Sequence, residues 1–140
     1  MTTVIDTDAL LGIFRPSDSH HETSLVLLDK LLQRNDEIFL LSTTLAEFAL
    51  LASSRIGTKE TKRSIKRIMA SEYSTLDITE EVTAKTVELY YTQTSKEESL
   101  FDCYIMVAAK KIPADYIFSF DKGYEKNGFV LAKDILEENN

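Results

Sequence analysis

Short apolar runs alternate along the chain with longer stretches whose apolar residues recur every three or four positions. Thr2-Thr-Val-Ile5 is β-branched and apolar, and predicts a buried strand ending at Asp6. Thr7 to Phe14 predicts a short helix stopped by Pro16, because proline cannot continue a helix. Leu25, Leu28, Leu31 and Leu32 place a second helix over about 19–33, which Asn35 and Asp36 break. Glu37 to Leu41 predicts a second buried strand. A helix follows over about 44–55, ended by Gly57, and another over about 59–71. Ser74 to Ile78 is a third strand candidate, ahead of a helix over about 80–91. The polar linker Thr92 to Glu98 leads into a strongly apolar helix, Leu100 to Lys111. Asp115 to Ser119 and Phe129 to Leu131 complete the pattern as fourth and fifth strands. Apolar strands alternating with helices predict an α/β layer structure around a mostly parallel sheet. With no internal repeat or low-complexity tract, residues 1–140 are expected to form one domain.

Hydrophobic residues make up 44 % of the chain, which sets disorder aside. No apolar run approaches the ~20 residues of a membrane span. The N-terminus has no basic region and meets an acid at position 6, so it is not expected to act as a signal peptide. The single cysteine, Cys103, cannot form an internal disulfide and is expected to be a buried thiol of a cytoplasmic protein. The net charge of −7 argues at first against a nucleic-acid partner. Net charge governs long-range steering, however, and leaves room for a local basic stripe. A surplus of acid also follows if several carboxylates converge on a cation.

The positions of the acids matter more than their number. In an open parallel sheet, ligands bind beyond the carboxyl ends of the strands. Asp6 follows the first predicted strand directly and Asp121 follows the fourth by two residues, so both belong on that edge. Glu47 sits in a helix whose residues Phe48 to Ala52 cover every direction at ~100° per residue, which predicts a helix buried all round. Asp102 repeats the pattern, with Ile105 and Met106 one turn on. A lone buried charge is costly, and two acids on two apolar helices ask for a common cation. Each acid also has a local reading. Thr44-x-x-Glu47 and Ser99-x-x-Asp102 match capping boxes, Asp6 could cap the first helix, and Asp121 in Asp-Lys-Gly123 could be a turn residue.

Four segments together resemble the PIN-domain family. Val4-Ile-Asp-Thr-Asp-Ala-Leu-Leu11 resembles its opening strand and first acid, and Thr43-Thr-Leu-Ala-Glu47 its second-acid helix. Leu100 to Ala109 is similar to its third-acid helix, and Ile117 to Tyr124 to its closing motif, with a hydroxyl residue two before the fourth acid. The chain departs from the family at Asp8, where Asn or Ser is common, and at Ser119, where Thr is commoner. The resemblance spans residues 3 to about 131. It implies a three-layer α/β/α fold with a mostly parallel five-stranded sheet and Mg²⁺- or Mn²⁺-dependent RNA cleavage. It also implies the toxin role of a VapC-like toxin–antitoxin pair, with a small antitoxin as partner, and frequent homodimerisation.

Carboxylate oxygens are hard ligands suited to Mg²⁺ or Mn²⁺, and a cluster without His or Cys argues against zinc. His20 and His21 are adjacent, point in different directions on a helix, and are expected at the surface. Asp6 is the candidate central ligand, with Glu47, Asp102 and Asp121 completing the set directly or through water. Ser119 would orient a ligand or water from behind, and Asp8 is a fifth carboxylate without an assigned role. Lys59, Lys62, Arg63, Lys66 and Arg67 share one helical face, opposite Ile65 and Ile68. That face is either ordinarily solvated or a phosphate-contacting stripe, and Lys122 and Lys126 are alternative contacts. Asp6-Thr-Asp8 also resembles the nucleophile motif of haloacid-dehalogenase-like phosphatases, although Leu10 stands where a hydroxyl residue is usual. The third reading is a PIN-like scaffold that binds RNA or protein without cutting.

Overall fold

The computed structural model describes residues 1–138. Strand β1 (Thr2–Ile5) lies between β2 (Glu37–Phe39) and β3 (Tyr116–Phe118), giving the order β2-β1-β3 with both pairings parallel. Thr3 pairs with Ile38 on one side and Tyr116 on the other. Parallel neighbours need crossovers, and helices supply them here. The first connection runs through α1 (Thr7–Phe14) and α2 (His21–Gln33). The long second one carries α3 (Ser42–Arg55), α4 (Thr58–Ala70), α5 (Glu80–Thr92) and α6 (Leu100–Lys111). After β3 come the short helix α7 (Gly123–Lys126) and a 3₁₀ turn, Ala132–Leu136.

Side chains alternate across a strand, so a sheet covered on both faces needs apolar residues at every position. Val4 and Ile117 enter one core with Cys103, Ile105, Met106, Tyr124 and Leu131. Ile5, Ile38, Tyr116 and Phe118 enter the other, with Leu10, Leu27, Leu31, Phe48 and Ile68. Helices α1 to α4 therefore cover one face, and α6 and α7 the other with α5 outside them. No described helix is long and apolar enough to cross a membrane.

The expected five-stranded sheet has three strands among the described residues. The third and fifth candidates keep their places but shrink to single bridges, Phe39 with Ser74 and Ile117 with Leu131, both parallel. Ser74 exchanges hydrogen bonds with Ile38 and Leu40, after which the chain turns half-buried Leu76 and Ile78 onto the α6 core instead of pairing further. Leu131 pairs once and leads directly into the 3₁₀ turn. Short apolar segments satisfy a strand pattern whether they pair along their length or at one residue.

A second expectation fails at α3. Only Thr44, Phe48 and Ala52 of that helix are buried, and Leu50 is 70 % exposed. The helix also starts at Ser42 with Leu41 as N-cap, so Thr44 lies inside it and no capping box forms with Glu47. Helix α4 behaves as its pattern predicts: Ile68 is buried, Ile65 half-buried, and Lys59, Lys62, Arg63, Lys66 and Arg67 are exposed. Between the two helices Gly57 has φ +85°, a left-handed turn that glycine enters without the steric cost of a Cβ.

Candidate active site

The sheet's central strand delivers the first acid. Asp6 follows Ile5 directly, and its backbone N–H donates to Phe118 O at 3.0 Å, tying the ends of β1 and β3 together. Its side chain caps α1, with Oδ1 accepting from Thr7 N at 2.7 Å. Only 5 % of Asp6 is exposed. The fourth acid reaches the same edge through β3. Ser119, fully buried, donates from Oγ to Asp8 Oδ2 at 3.0 Å and accepts from Asp121 N at 3.1 Å. Phe120 N donates to the same Asp8 oxygen at 2.8 Å. Asp8 thus fastens the loop that carries Asp121, a role its sequence context did not reveal. Asp121 Oδ1 in turn accepts from Gly123 N at 2.8 Å.

Asp102 comes from the first turn of α6. Ser99 N donates to its Oδ2 at 2.9 Å, and Ser99 Oγ accepts from Asp102 N at 3.2 Å, a complete capping box. Glu47 projects from α3, half-buried. The local readings thus hold for Asp6, Asp102 and Asp121 and fail for Glu47. They do not compete with a shared site, because all four acids and Asp8 line one cleft of about 180 Å³. Leu11 and Leu51 form its apolar walls and Arg55 its basic side. Tyr124 bridges two of the acids from below: its Oη donates to Asp6 Oδ2 at 2.6 Å and lies 3.2 Å from Asp102 Oδ1.

Packing acids together in a partly dry cleft raises their affinity for protons. Burial holds Asp6 well above the usual carboxylate range, and the Asp8 and Asp102 charges add to this against the Tyr124 and Thr7 hydrogen bonds. Burial pushes Asp8 up to about 6, despite its bonds from Phe120 and Ser119. Glu47 and Asp102 are raised too, mainly by burial, with repulsion from a neighbouring acid adding to it. Burial and the same acids push the Tyr124 hydroxyl far up, so it stays protonated. Cys103 is buried as expected, and desolvation lifts its thiol to about 11, which makes it a poor nucleophile at neutral pH.

Such a cluster suits a hard divalent cation. Every donor is oxygen, and Asp8 Oδ1 is buried with no hydrogen-bond partner. The side chains do not form a finished cage: no three acids among the described residues converge closely enough to hold an ion as they stand. The residues fit a cation by chemistry and location, and the side chains would have to draw together to complete the coordination.

Two further residues lie against the candidate acids, Arg55 in the cleft lining and Tyr124 beneath it. Arg55 stands eight residues after Glu47 with Leu51 halfway, so all three share one face of α3, a spacing that could have flagged it. Tyr124 lies three residues after Asp121 within the closing motif and carried no separate signal. The basic residues of α4 do not line the cleft, and neither do Lys122 and Lys126. Arg63 pairs with Glu60 at 3.1 Å and the Arg67 guanidinium sits over Phe14, as on a solvated helix face. His20 is exposed and stacks on Phe120 with ring centres 4.0 Å apart, while half-buried His21 places Nδ1 2.7 Å from Gly12 O. A larger groove of about 490 Å³ between α5 and α6 is walled by Val82, Leu89 and Val107 and contains none of the candidate acids.

A parallel α/β domain that collects acids from its first strand, two helices and a closing loop defines a class, and the sequence identifies it. Residues 3–130 match the model of the PIN domain, and the chain belongs to that family. Its fold is similar to that of Mycobacterium tuberculosis VapC20, a sarcin–ricin-loop-cleaving toxin, with a TM-score of 0.79 at 16 % identity over 91 % of this chain and 96 % of that one. It is also similar to a chain of VapBC2 from Rickettsia felis, solved on a DNA fragment from their promoter (TM-score 0.70, 18 % identity, 94 % and 97 % covered). A chain of FitAcB from Neisseria gonorrhoeae follows with a TM-score of 0.62 at 22 % identity, covering 94 % and 93 %. No curated protein matches the sequence. The PIN match displaces the likeness to haloacid-dehalogenase-like phosphatases. In keeping with this, Asp8 is bonded to the β3 loop instead of standing free as a general acid beside Asp6.

Proposed function

We propose that the chain is a Mg²⁺- or Mn²⁺-dependent endoribonuclease, and that it acts as the toxin of a VapBC-like pair restrained by a small antitoxin. The observation that carries this reading is the gathering of Asp6, Glu47, Asp102 and Asp121 into one cleft of a PIN domain. The toxin role and the antitoxin partner rest on the fold shared with VapC20 and with chains of the VapBC2 and FitAcB assemblies, and a homodimeric state only on membership of the PIN family. Asp6 and Asp102 would hold the cation, with Glu47 and Asp121 completing its surroundings directly or through water. A divalent ion bound there supplies positive charge to the scissile phosphate and lowers the pKa of the attacking water. The protein's own part is to fix the acids: Thr7 N and Ser99 N each hold one carboxylate oxygen, and Asp8 with Ser119 holds the Asp121 loop. Leu11 and Leu51 give one side of the cleft an apolar wall, which lowers the local dielectric and strengthens the electrostatics within it.

Arg55 is the basic residue that lines the cleft, and it is placed to meet a phosphate of the RNA. Arg55→Ala should raise the KM for RNA severalfold, with a smaller effect on kcat. It should also flatten the dependence of log affinity on log salt by about one unit. An unchanged salt slope would remove Arg55 from the RNA contacts. The exposed face of α4, with Lys59, Lys62, Arg63 and Lys66, and Lys122 beside the cleft, are the proposed outer contacts. The function itself is tested by incubating single-stranded and structured RNAs with the protein in Mn²⁺, with Asp102→Asn in parallel. Cleavage by the wild-type protein alone supports the proposal. RNA binding without cleavage in both Mg²⁺ and Mn²⁺ favours the non-catalytic scaffold.

A further inference from the structure

Tyr124 has a buried hydroxyl that its packing does not require. Its ring packs in the core with Ile117, Leu131 and residues of α6, contacts that need only the ring and not the hydroxyl. A buried hydroxyl must find a partner, and the partners here are Asp6 Oδ2 at 2.6 Å and Asp102 Oδ1 at 3.2 Å. The other oxygen of each acid is held by the backbone at the start of its own helix, Asp6 Oδ1 by Thr7 N and Asp102 Oδ2 by Ser99 N. Asp6 is therefore held at both ends, and Asp102 is held by its helix and shares, at the longer distance, the single proton of the same hydroxyl. The tyrosine is itself fixed, because its carbonyl accepts from Asn127 N at 3.0 Å and Phe129 N at 3.1 Å. Asp6 and Asp102 are 96 positions apart in sequence, and this hydroxyl is the group that touches both.

We propose that Tyr124 is a positioning residue that presets Asp6 and Asp102 for the divalent cation, an inference that rests on the metal-nuclease reading above. Hydrogen bonds to metal-ligating carboxylates from groups behind them fix their orientation, and losing one costs about 10- to 100-fold in metal affinity or activity. Tyr124→Phe removes the hydroxyl and keeps the ring, so the core stays filled.

The test titrates wild type, Tyr124→Phe and Asp6→Asn with MnCl₂ by calorimetry, alongside thermal unfolding in EDTA and cleavage rates against both Mn²⁺ and RNA concentration. Tyr124→Phe should unfold cooperatively and bind Mn²⁺ about tenfold or more weaker than wild type. Its half-saturating Mn²⁺ concentration for cleavage should rise in parallel, with the KM for RNA unchanged. Mn²⁺ affinity equal to wild type overturns the inference, and tighter binding overturns it by making the hydroxyl a competitor of the ion. Loss of cooperative unfolding also overturns it, because the hydroxyl would then be structural. If wild type binds no Mn²⁺, or Asp6→Asn binds it as wild type does, the metal-nuclease reading itself fails and this inference falls with it.

Discussion

Asp6→Asn and Asp102→Asn are each expected to cut Mn²⁺-dependent RNA cleavage by roughly 10³-fold or more while leaving the fold intact. A metal site supplies several kcal/mol of transition-state stabilisation, and each ~1.4 kcal/mol is a factor of ten in rate. Both substitutions keep the shape of the side chain and one carbonyl oxygen, so the cap on Thr7 N and the bond from Ser99 N can persist. Both also remove a charge from a cluster in which burial and mutual repulsion already disfavour ionisation. In EDTA at pH 7.5 the variants should therefore be at least as stable as wild type. A gel assay of RNA cleavage with thermal unfolding on the same samples separates lost chemistry from lost structure. Undiminished cleavage by both variants would remove these acids from the mechanism.

The metal-free protein should lose stability as pH rises from about 4 to about 6, opposite to a protein held together by ionised, paired carboxylates. Asp6, Asp8, Glu47 and Asp102 all bind protons more tightly folded than unfolded. Such groups contribute stability that is fully present below their unfolded values and is lost as pH climbs through their folded ones. For Asp8 the window runs from 3.8 to about 6, and at ~1.4 kcal/mol per unit it is worth about 3 kcal/mol. Asp8→Asn removes that penalty, and its side-chain oxygen can still accept from Ser119 and Phe120. Its unfolding midpoint in EDTA at pH 7.5 should exceed that of wild type by several degrees. Mg²⁺ should raise the wild-type midpoint more than that of Asp8→Asn. A wild-type midpoint in EDTA that rises with pH over this range would contradict the electrostatic description of the cleft.

The acids of the candidate cleft were legible through topology more than through composition. Asp6 and Asp121 could be placed because a residue following a parallel strand must emerge at the sheet's carboxyl edge, and β1 and β3 were legible as apolar runs. Asp102 was legible through the apolar helix it opens, whose Cys103, Ile105 and Met106 are buried, and the capping box that gave its local reading forms as well. Glu47 reached the correct helix by a faulty route: the apolar residues of α3 do not bury it all round, and Leu50 faces solvent. Apolar content reports what a helix could bury, whereas the neighbours it meets decide what it does bury. The sheet was overcounted for a similar reason, since Ser74 and Leu131 each pair through one residue. Strand length depends on a partner's register, which no local pattern contains. Tyr124 stayed hidden because its importance lies in where its hydroxyl ends up, near two acids brought together only by the fold. Arg55 was accessible in principle, since its spacing from Glu47 and Leu51 is that of a single helix face.

An anomalous difference map from crystals of the wild-type protein soaked in Mn²⁺ shows whether the acidic cleft holds a metal. On the metal-nuclease reading, a Mn²⁺ peak is expected in the acidic cleft, ligated by Asp6 and Asp102 and absent from Asp6→Asn crystals soaked in the same way. A protein that cleaves RNA in Mn²⁺ while its cleft carries no such peak, or carries it equally in the Asp6→Asn variant, would contradict it.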